Sequence, residues 1–331
     1  MGDHRPTRWL AWVVVASFSV LVLAAQAQVP NPLERVKALS LPSLSGEVPA
    51  YYSSGHRQHA EELQRRIEDM NAIFQQRLGV QAKVVLALLD SKDWAAVSPR
   101  NQLPHVFGDP PVVFMPATSD SPAFGLMMAR KRAVPAEALQ AFLKDNKTTF
   151  EALADQFVDL IGFHELGHKL TDNFGINPPN RWLYEFIASY WSYAYISERR
   201  PEWKAVFDLL GRPSEVRPRN TSLEDFERLY SGVDDYGWYQ GMFESRIREI
   251  YPELGLKFLS DLKRSFPQSG DSRTPNGPPK TKMTPAQLLE QLEKIAPGFQ
   301  KWAAAGFSSA AQAAVPRYSG ILYKTPPRIL R

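Results

Sequence analysis

Apolar residues recur at helical spacing between residues 54 and 78, where Leu63, Ile67 and Phe74 fall four and seven positions apart. Positions spaced in this way face the same side of an α-helix, and charged residues fill most of the positions between them. Gly79 follows directly, and glycine is a typical helix terminator. We therefore predict an amphipathic helix that packs one face against a core.

Two continuous apolar runs after this helix predict β-strands. The first is AKVVLALLD at residues 82–90, and the second is PVVFMPA at residues 111–117. Short runs rich in valine and leucine are typical of buried strands. Proline lacks the amide that a neighbouring strand needs, so the prolines near both ends of the second run favour an edge strand. We expect residues 54–147 to form a small α/β subdomain that includes this edge strand.

Helical spacing returns at residue 148 and continues to about residue 266. Thr148 and Glu151 have the spacing of a capping box, which predicts the start of a helix. The apolar positions that define one face of this helix are Phe150, Leu153, Phe157, Leu160 and Ile161. We predict an α+β protein in which a small N-terminal mixed sheet with helices packs against a mainly helical subdomain at residues 148–266.

Three further segments differ from these subdomains in composition. Residues 28–53 are rich in proline and serine and predict an irregular lead-in. Residues 267–285 are poor in apolar residues and rich in proline, glycine and serine, which is typical of a flexible linker. Residues 286–331 predict one amphipathic helix at 286–295, followed by an alanine-rich stretch and a basic tail.

The first 27 residues have the pattern of a secretory signal peptide. Arg5 and Arg8 precede an apolar run of 16 residues from Leu10 to Ala25, and Ala-Gln-Ala follows at residues 25–27. The run is shorter than the roughly 20 residues that span a bilayer. We expect export to the periplasm or the cell exterior, with no membrane span after signal cleavage. An uncleaved N-terminal membrane anchor is the alternative.

Composition and charge narrow the classes of partner. The chain is 44% hydrophobic and 22% charged, as in globular proteins, and its formal net charge is +4. This charge is too small to indicate nucleic-acid binding, and no basic, aromatic-rich patch supports it. The chain has no cysteine, so an exported product would be held together by its core without disulfide bonds.

His164 and His168 continue the apolar face of the helix predicted from residue 148. Residues four apart lie one turn apart on one face, with about 6 Å between them along the axis. Two imidazole nitrogens at this spacing can converge on one ion about 2 Å from each. The ordinary alternative is that both histidines are hydrogen-bonded core residues. We predict a metal site, with one zinc ion per chain.

A catalytic zinc site needs a third protein ligand and an open position. No histidine follows His168, and the chain has no cysteine, so the third ligand must be a carboxylate unless His56, His59 or His105 folds back. Asp172 lies on the same helix face, but about 9 Å along the axis from a metal held by the two histidines, which is too far.

Glu185 is the best-placed carboxylate. The segment GINPPN should turn the chain, so that RWLYEFIASYW can run back beside the first helix and bring Glu185 to the histidines. Asp234 or Asp235 is the weaker alternative for the third ligand.

These residues carry a resemblance to a known family. His164-Glu165-x-x-His168 followed by WLYEFIASY resembles the gluzincin zinc metallopeptidases, especially the aminopeptidase-N-like and thermolysin-like catalytic domains. In the first of these groups a Trp-Leu-Asn-Glu-Gly-Phe-Ala segment carries the glutamate ligand. The resemblance covers about 30 residues, and the Gly-Ala-Met-Glu-Asn motif that holds a free amino terminus in aminopeptidases is absent. The positions that match the glutamate segment are Trp182, Leu183, Glu185 and Ala188.

The resemblance implies a zincin-type catalytic subdomain that hydrolyses a peptide or protein substrate. Glu165 would be the general base. The family's oxyanion donor is a tyrosine just before a Lys-Gly pair, which Gln240-Gly241 resembles. The usual tyrosine position then falls on Trp238, so the register is ambiguous by one residue; Tyr239 is the preferred candidate and Tyr236 the other. Residues 111–117 would bind an extended peptide by β-augmentation. The rival class is a non-catalytic envelope protein that uses a peptidase-like fold for zinc binding or as a scaffold.

Overall fold

The computed structural model describes residues 31–98, 102–118, 121–210, 220–230, 236–268 and 283–307. These ranges are mainly helical and contain one small mixed sheet, which agrees with the predicted α+β class. No helix within them is both long enough and apolar enough to cross a bilayer. The predicted signal peptide, most of the predicted linker and the basic tail lie outside the described residues.

Among the described residues, the N-terminal part of the fold contains five short strands and five helices. They are α1 (Pro32–Ala38), β1 (Ser43–Leu44), β2 (Ala50–Tyr52), α2 (Arg57–Leu78), β3 (Val85–Leu89), α3 (Ser91–Val97), β4 (His105–Phe107), β5 (Val112–Pro116), α4 (Pro122–Ala133) and α5 (Ala136–Asp145). The helix predicted at residues 54–78 is α2, and Gly79 ends it in the left-handed conformation with φ 67°.

The segment at residues 28–53, expected to be irregular, differs from that expectation in its described part, because it contains α1, β1 and β2. The Asn31 side chain accepts a hydrogen bond from the Leu33 amide, and Pro32 occupies the first turn of α1. Both features are also common in loops, which is why composition alone suggested an irregular segment.

The sheet has the strand order β1-β2-β3-β5-β4. β2, β3 and β5 are parallel, and β1 and β4 pair antiparallel at the two edges. Both predicted strands are therefore present, but the prediction that residues 111–117 form an edge strand is wrong. Pro111 precedes β5 and Pro116 is its last residue, so neither proline interrupts the ladder between them. The edge strand on this side is the three-residue β4.

The remaining described elements are helical. They are α6 (Phe150–Phe174), α7 (Arg181–Arg199), a 3₁₀ turn (Pro201–Trp203), α8 (Lys204–Leu210), α9 (Leu223–Leu229), α10 (Tyr236–Leu254), α11 (Lys257–Ser265), α12 (Pro285–Ile295) and α13 (Phe299–Phe307). α6 and α7 form an antiparallel pair that is joined by the turn at residues 175–180. The Thr149 side chain caps α6 by accepting from the Ala152 amide, in place of the predicted Thr148.

One hydrophobic core connects the sheet to these helices, and a smaller cluster lies under α1 and α3. α6 lies directly on the sheet, because Gly162 leaves room for Met115 of β5; a Cβ atom at Gly162 would lie 2.6 Å from the Met115 sulfur. This contact fixes α6 between the sheet and α7, with the two predicted metal-binding histidines in its second half.

Candidate metal centre

The backbones of α6 and α7 are in close contact at Gly167. A Cβ atom at this position would lie 2.5 Å from the Ala188 carbonyl oxygen, so only glycine permits the observed separation. His168 is the next residue on α6, and Glu185 precedes Ala188 by three positions on α7. The backbone contact therefore brings the side chains of the two helices together just beside it.

The structure brings the three predicted metal ligands together. His164 Nε2 lies 3.0 Å and His168 Nε2 lies 3.6 Å from Glu185 Oε2. One ligand atom from each residue lies within 4.8 Å of the others, and the group could hold a metal ion. Within the described ranges no other group of three or more such residues has this geometry.

The two distances from Glu185 to the histidine nitrogens fit a tetrahedral ion. Two ligand atoms at about 2.0–2.1 Å from a tetrahedral metal lie about 3.4 Å apart, and the two observed distances fall on either side of this value. His164 Nδ1 lies 3.0 Å from Ser189 Oγ, which leaves Nε2 to face Glu185. His168 Nδ1 is buried without a hydrogen-bond partner, so the polar contacts of this ring also run through Nε2.

Burial and the charges of the histidines have opposite effects on the pKa of each of the two glutamates, Glu165 and Glu185. Burial alone would raise the pKa of Glu185, but the charges of His168 and His164 and their hydrogen bonds hold this pKa well below its usual value. Burial raises the pKa of Glu165, and His168 and His164 offset this only in part. Glu185 is therefore ionised as a ligand must be, whereas Glu165 has the greater tendency to take up a proton.

Glu165 contacts the sheet through one carboxylate oxygen. Its Oε2 atom accepts a hydrogen bond of 3.2 Å from the Val106 amide of β4. This amide points away from β5, and in an antiparallel pair the carbonyl of the same residue points the same way. The outer edge of β4 therefore runs beside the site, in the edge position predicted for residues 111–117.

The two candidate tyrosines are in different places. The Tyr236 hydroxyl donates to Glu185 Oε2 at 2.5 Å and accepts a hydrogen bond of 2.8 Å from Gln240 Nε2. Burial of this hydroxyl and the charge of Glu185 hold its pKa well above the usual value, so it stays protonated. Tyr239 is fully buried, and its hydroxyl donates to the carbonyls of Asn220 and Ser222. The structure brings Tyr236, and not the preferred Tyr239, to the site.

Three further residues complete the site and were not assigned a role from the sequence. The Tyr230 hydroxyl donates to Glu185 Oε1 at 2.5 Å. Ser189 Oγ links His164 to Gln240, whose Oε1 it contacts at 3.1 Å. Ser189 lies four positions after Glu185 and Gln240 four after Tyr236, so helical spacing could have identified both. No local signal identifies Tyr230.

The alternative ligands are not part of the described cluster. Asp172 accepts the Tyr184 hydroxyl at 3.2 Å, and Lys169 lies 3.7 Å away. His59 lies 3.6 Å from Asp159. The ring of His105 stacks on Phe114, and its Nδ1 atom contacts the Leu103 carbonyl. His56 is the N-cap residue of α2, and Asp234 and Asp235 lie outside the described residues.

Comparisons of the chain with models of protein families, with curated proteins and with solved structures give no match.

Proposed function

We propose that this protein is an exported zinc metallopeptidase of the gluzincin type, with a zincin-type catalytic subdomain at residues 148–266. One observation carries the proposal. A largely buried two-histidine, one-carboxylate cluster lies next to a second carboxylate, Glu165, which accepts a hydrogen bond from the edge strand of a sheet. A cluster that served only to bind metal would not need this additional carboxylate.

The donor set favours zinc. Two imidazole nitrogens and one carboxylate oxygen are a common ligand set of catalytic zinc, which keeps its fourth position open. When bound, a zinc ion polarises a carbonyl group and acidifies a water molecule. His164, His168 and Glu185 would hold one such ion per chain, and the low pKa of Glu185 supports its role as an ionised ligand.

Glu165 would act as the general base. It lies between the two histidines in sequence, and its carboxyl group has a raised pKa. Glu165 would remove a proton from the attacking water and later deliver it to the leaving amine. The Val106 amide orients the carboxyl group for both transfers.

Tyr236 would donate a hydrogen bond to the oxyanion that forms on the substrate carbonyl. Its hydroxyl already lies beside Glu185, and the residue as a whole is 36% exposed. Because its pKa is raised, the phenol remains a hydrogen-bond donor at all physiological pH values. Preorganised donors of this kind are usually among the largest contributions to catalysis.

The outer edge of β4 would hold an extended peptide. The Val106 carbonyl faces this edge, whereas the Val106 amide donates to Glu165, and strand addition uses such main-chain carbonyls for affinity. The strand is three residues long, so it could align only a short part of a substrate next to Glu165. A peptide or protein substrate outside the cytoplasm fits this arrangement and the predicted signal peptide.

Replacement of Glu165 by glutamine tests the proposal. Glu165→Gln keeps the volume of the side chain, so zinc content measured by mass spectrometry should stay near one per chain. Cleavage of a peptide library should slow by about 10²–10⁴-fold, the usual effect of losing a positioned acid–base group. Glu151→Gln is the matched control, because Glu151 lies on the same helix with a side chain that is 71% exposed.

Two outcomes would count against the peptidase. Wild-type cleavage rates in Glu165→Gln would exclude this residue as the base. Zinc-loaded wild type that cleaves no member of the library would favour the non-catalytic binding protein. Mass spectrometry of the protein from membrane and soluble fractions tests localisation separately, because an intact residue 1–27 segment would show an anchored form.

A further inference from the structure

We propose that Tyr230 is a positioning residue that restricts Glu185 to binding metal through a single oxygen, Oε2, and so keeps one metal position open for substrate or solvent. This proposal deepens the zinc-site assignment above and rests on it. Tyr230 would not touch the substrate or the reacting atoms, and it would act only through Glu185.

The two oxygens of Glu185 have different surroundings. Oε2 faces both histidines and also accepts from Tyr236 and Gln240. Oε1, the other oxygen of the carboxylate, accepts a hydrogen bond of 2.5 Å from the Tyr230 hydroxyl. One oxygen of the carboxylate thus faces the metal position, and the other is held by the phenol of Tyr230.

The ring of Tyr230 is held in place independently of Glu185. It packs edge-on against Phe226 of α9, with 5.6 Å between the ring centroids. The Arg181 guanidinium lies over it, 5.1 Å from the ring centroid. A phenol fixed on two sides is a preorganised donor, so it directs the orientation of Glu185 and does not merely follow it.

A carboxylate can bind a metal through one oxygen or through both. Binding through both would require Glu185 to rotate until Oε1 also faces the histidines, and this rotation would break the hydrogen bond from Tyr230. A hydrogen bond to a charged group in a buried site corresponds to roughly a ten- to hundredfold change in an equilibrium constant. The second oxygen would occupy the position that a catalytic metal leaves open.

Tyr230→Phe tests this role, because it removes the hydroxyl and keeps the ring that contacts Phe226 and Arg181. We would load the full mature chain with Co²⁺, which reports its ligands through visible absorption, and titrate it with acetohydroxamate. The variant should bind hydroxamate about ten- to hundredfold more weakly. Its affinity for cobalt, measured by chelator competition, should be unchanged or higher, and its melting temperature should stay near that of the wild type.

Tyr195→Phe is the matched control. Tyr195 lies on α7 like Glu185, and its hydroxyl also donates to a carboxylate, Asp69 Oδ2, at 3.2 Å. Loss of this hydroxyl should not affect hydroxamate affinity. An equal loss in both variants would show a general effect of removing a buried phenol and would overturn the proposal.

Two other results would also overturn it. Unchanged hydroxamate affinity in Tyr230→Phe would show that the hydroxyl does not keep the position open. A cobalt affinity that falls more than tenfold would show that Tyr230 helps to form the site instead of restricting it. If wild type binds cobalt and hydroxamate but cleaves no peptide, the peptidase proposal fails while the comparison of the two variants still decides the role of Tyr230.

Discussion

Replacement of Gly167 by alanine would place a methyl group where α6 and α7 are in backbone contact. The new Cβ atom would lie 2.5 Å from the Ala188 carbonyl oxygen, whereas ordinary contact begins at 3.4 Å. The neighbour is backbone and not a flexible side chain, so the helices must separate by about 0.9 Å at this point.

Two energetic effects of this change oppose each other. Alanine is favoured over glycine inside a helix by about 1 kcal/mol. Overpacking of a close contact costs about 1–3 kcal/mol. The expected net effect is a loss of up to about 2 kcal/mol in the free energy of unfolding of the metal-free protein.

The effect on metal binding should be larger than the effect on stability. His168 follows Gly167 directly, and Glu185 lies one turn before Ala188, so helix separation moves ligands on opposite sides of the ion apart. A displacement of about 0.9 Å is nearly half of a metal–ligand bond of about 2 Å. Changes that merely reorient ligands cost 10–100-fold in affinity, and we expect at least a tenfold loss here.

Competition with a chromophoric chelator would measure zinc affinity, and urea unfolding in EDTA would measure stability. Gly125→Ala is the matched control, because this exposed glycine of α4 has no atom within 4 Å of the added Cβ. The control should gain up to about 1 kcal/mol and leave zinc affinity unchanged. Wild-type zinc affinity in Gly167→Ala would refute the idea that this helix contact sets the ligand spacing.

Two further predictions concern the two tyrosines of α10 and His59 of α2. Tyr236→Phe should lower kcat by about 10²–10³-fold with zinc retained, as for loss of an oxyanion donor. Tyr239→Phe should lower the free energy of unfolding in urea by about 1 kcal/mol and leave kcat unchanged. The opposite pattern would restore Tyr239 as the donor. The Asp159 carboxylate, 3.6 Å away, raises the pKa of His59 above 6.5, so wild type should exceed His59→Gln in stability below pH 6.5 and lose this advantage as the pH rises through the raised pKa. Urea unfolding of both proteins at about pH 5.5 and about pH 8.5 measures this difference, and an equal difference at the two pH values would contradict it.

The metal cluster could be predicted because its information is local in the sequence. His164 and His168 are one turn apart on a helix whose apolar face is evident, and the turn before α7 returns Glu185 to them. Helical periodicity and one short turn are sufficient for this arrangement. The same reasoning excluded Asp172, which the structure places with Tyr184 and Lys169.

The surroundings of the cluster depend on information that local patterns lack. Tyr236 and Tyr239 are three positions apart, and only the docking of α10 determines that Tyr236 reaches Glu185. Tyr230 lies 45 positions from Glu185, so no periodicity links them. The edge strand was misassigned because β4 has three residues, too few to show a pattern, and because strand order follows from packing and not from composition.

The confinement of the three ligands to one helical hairpin also bears on the order in which the chain assembles. His164 and Glu185 are 21 positions apart, whereas Tyr236 is 51 positions from Glu185. Closing the longer loop costs about 0.8 kcal/mol more in chain entropy, and it also requires α10 to dock. A nascent α6–α7 hairpin can therefore capture metal, and be stabilised by it, before either phenol arrives. For the proposed peptidase, metal uptake would precede hydrolytic competence, so a chain that is still folding would carry its ion without the proposed donor needed to cleave itself or its neighbours.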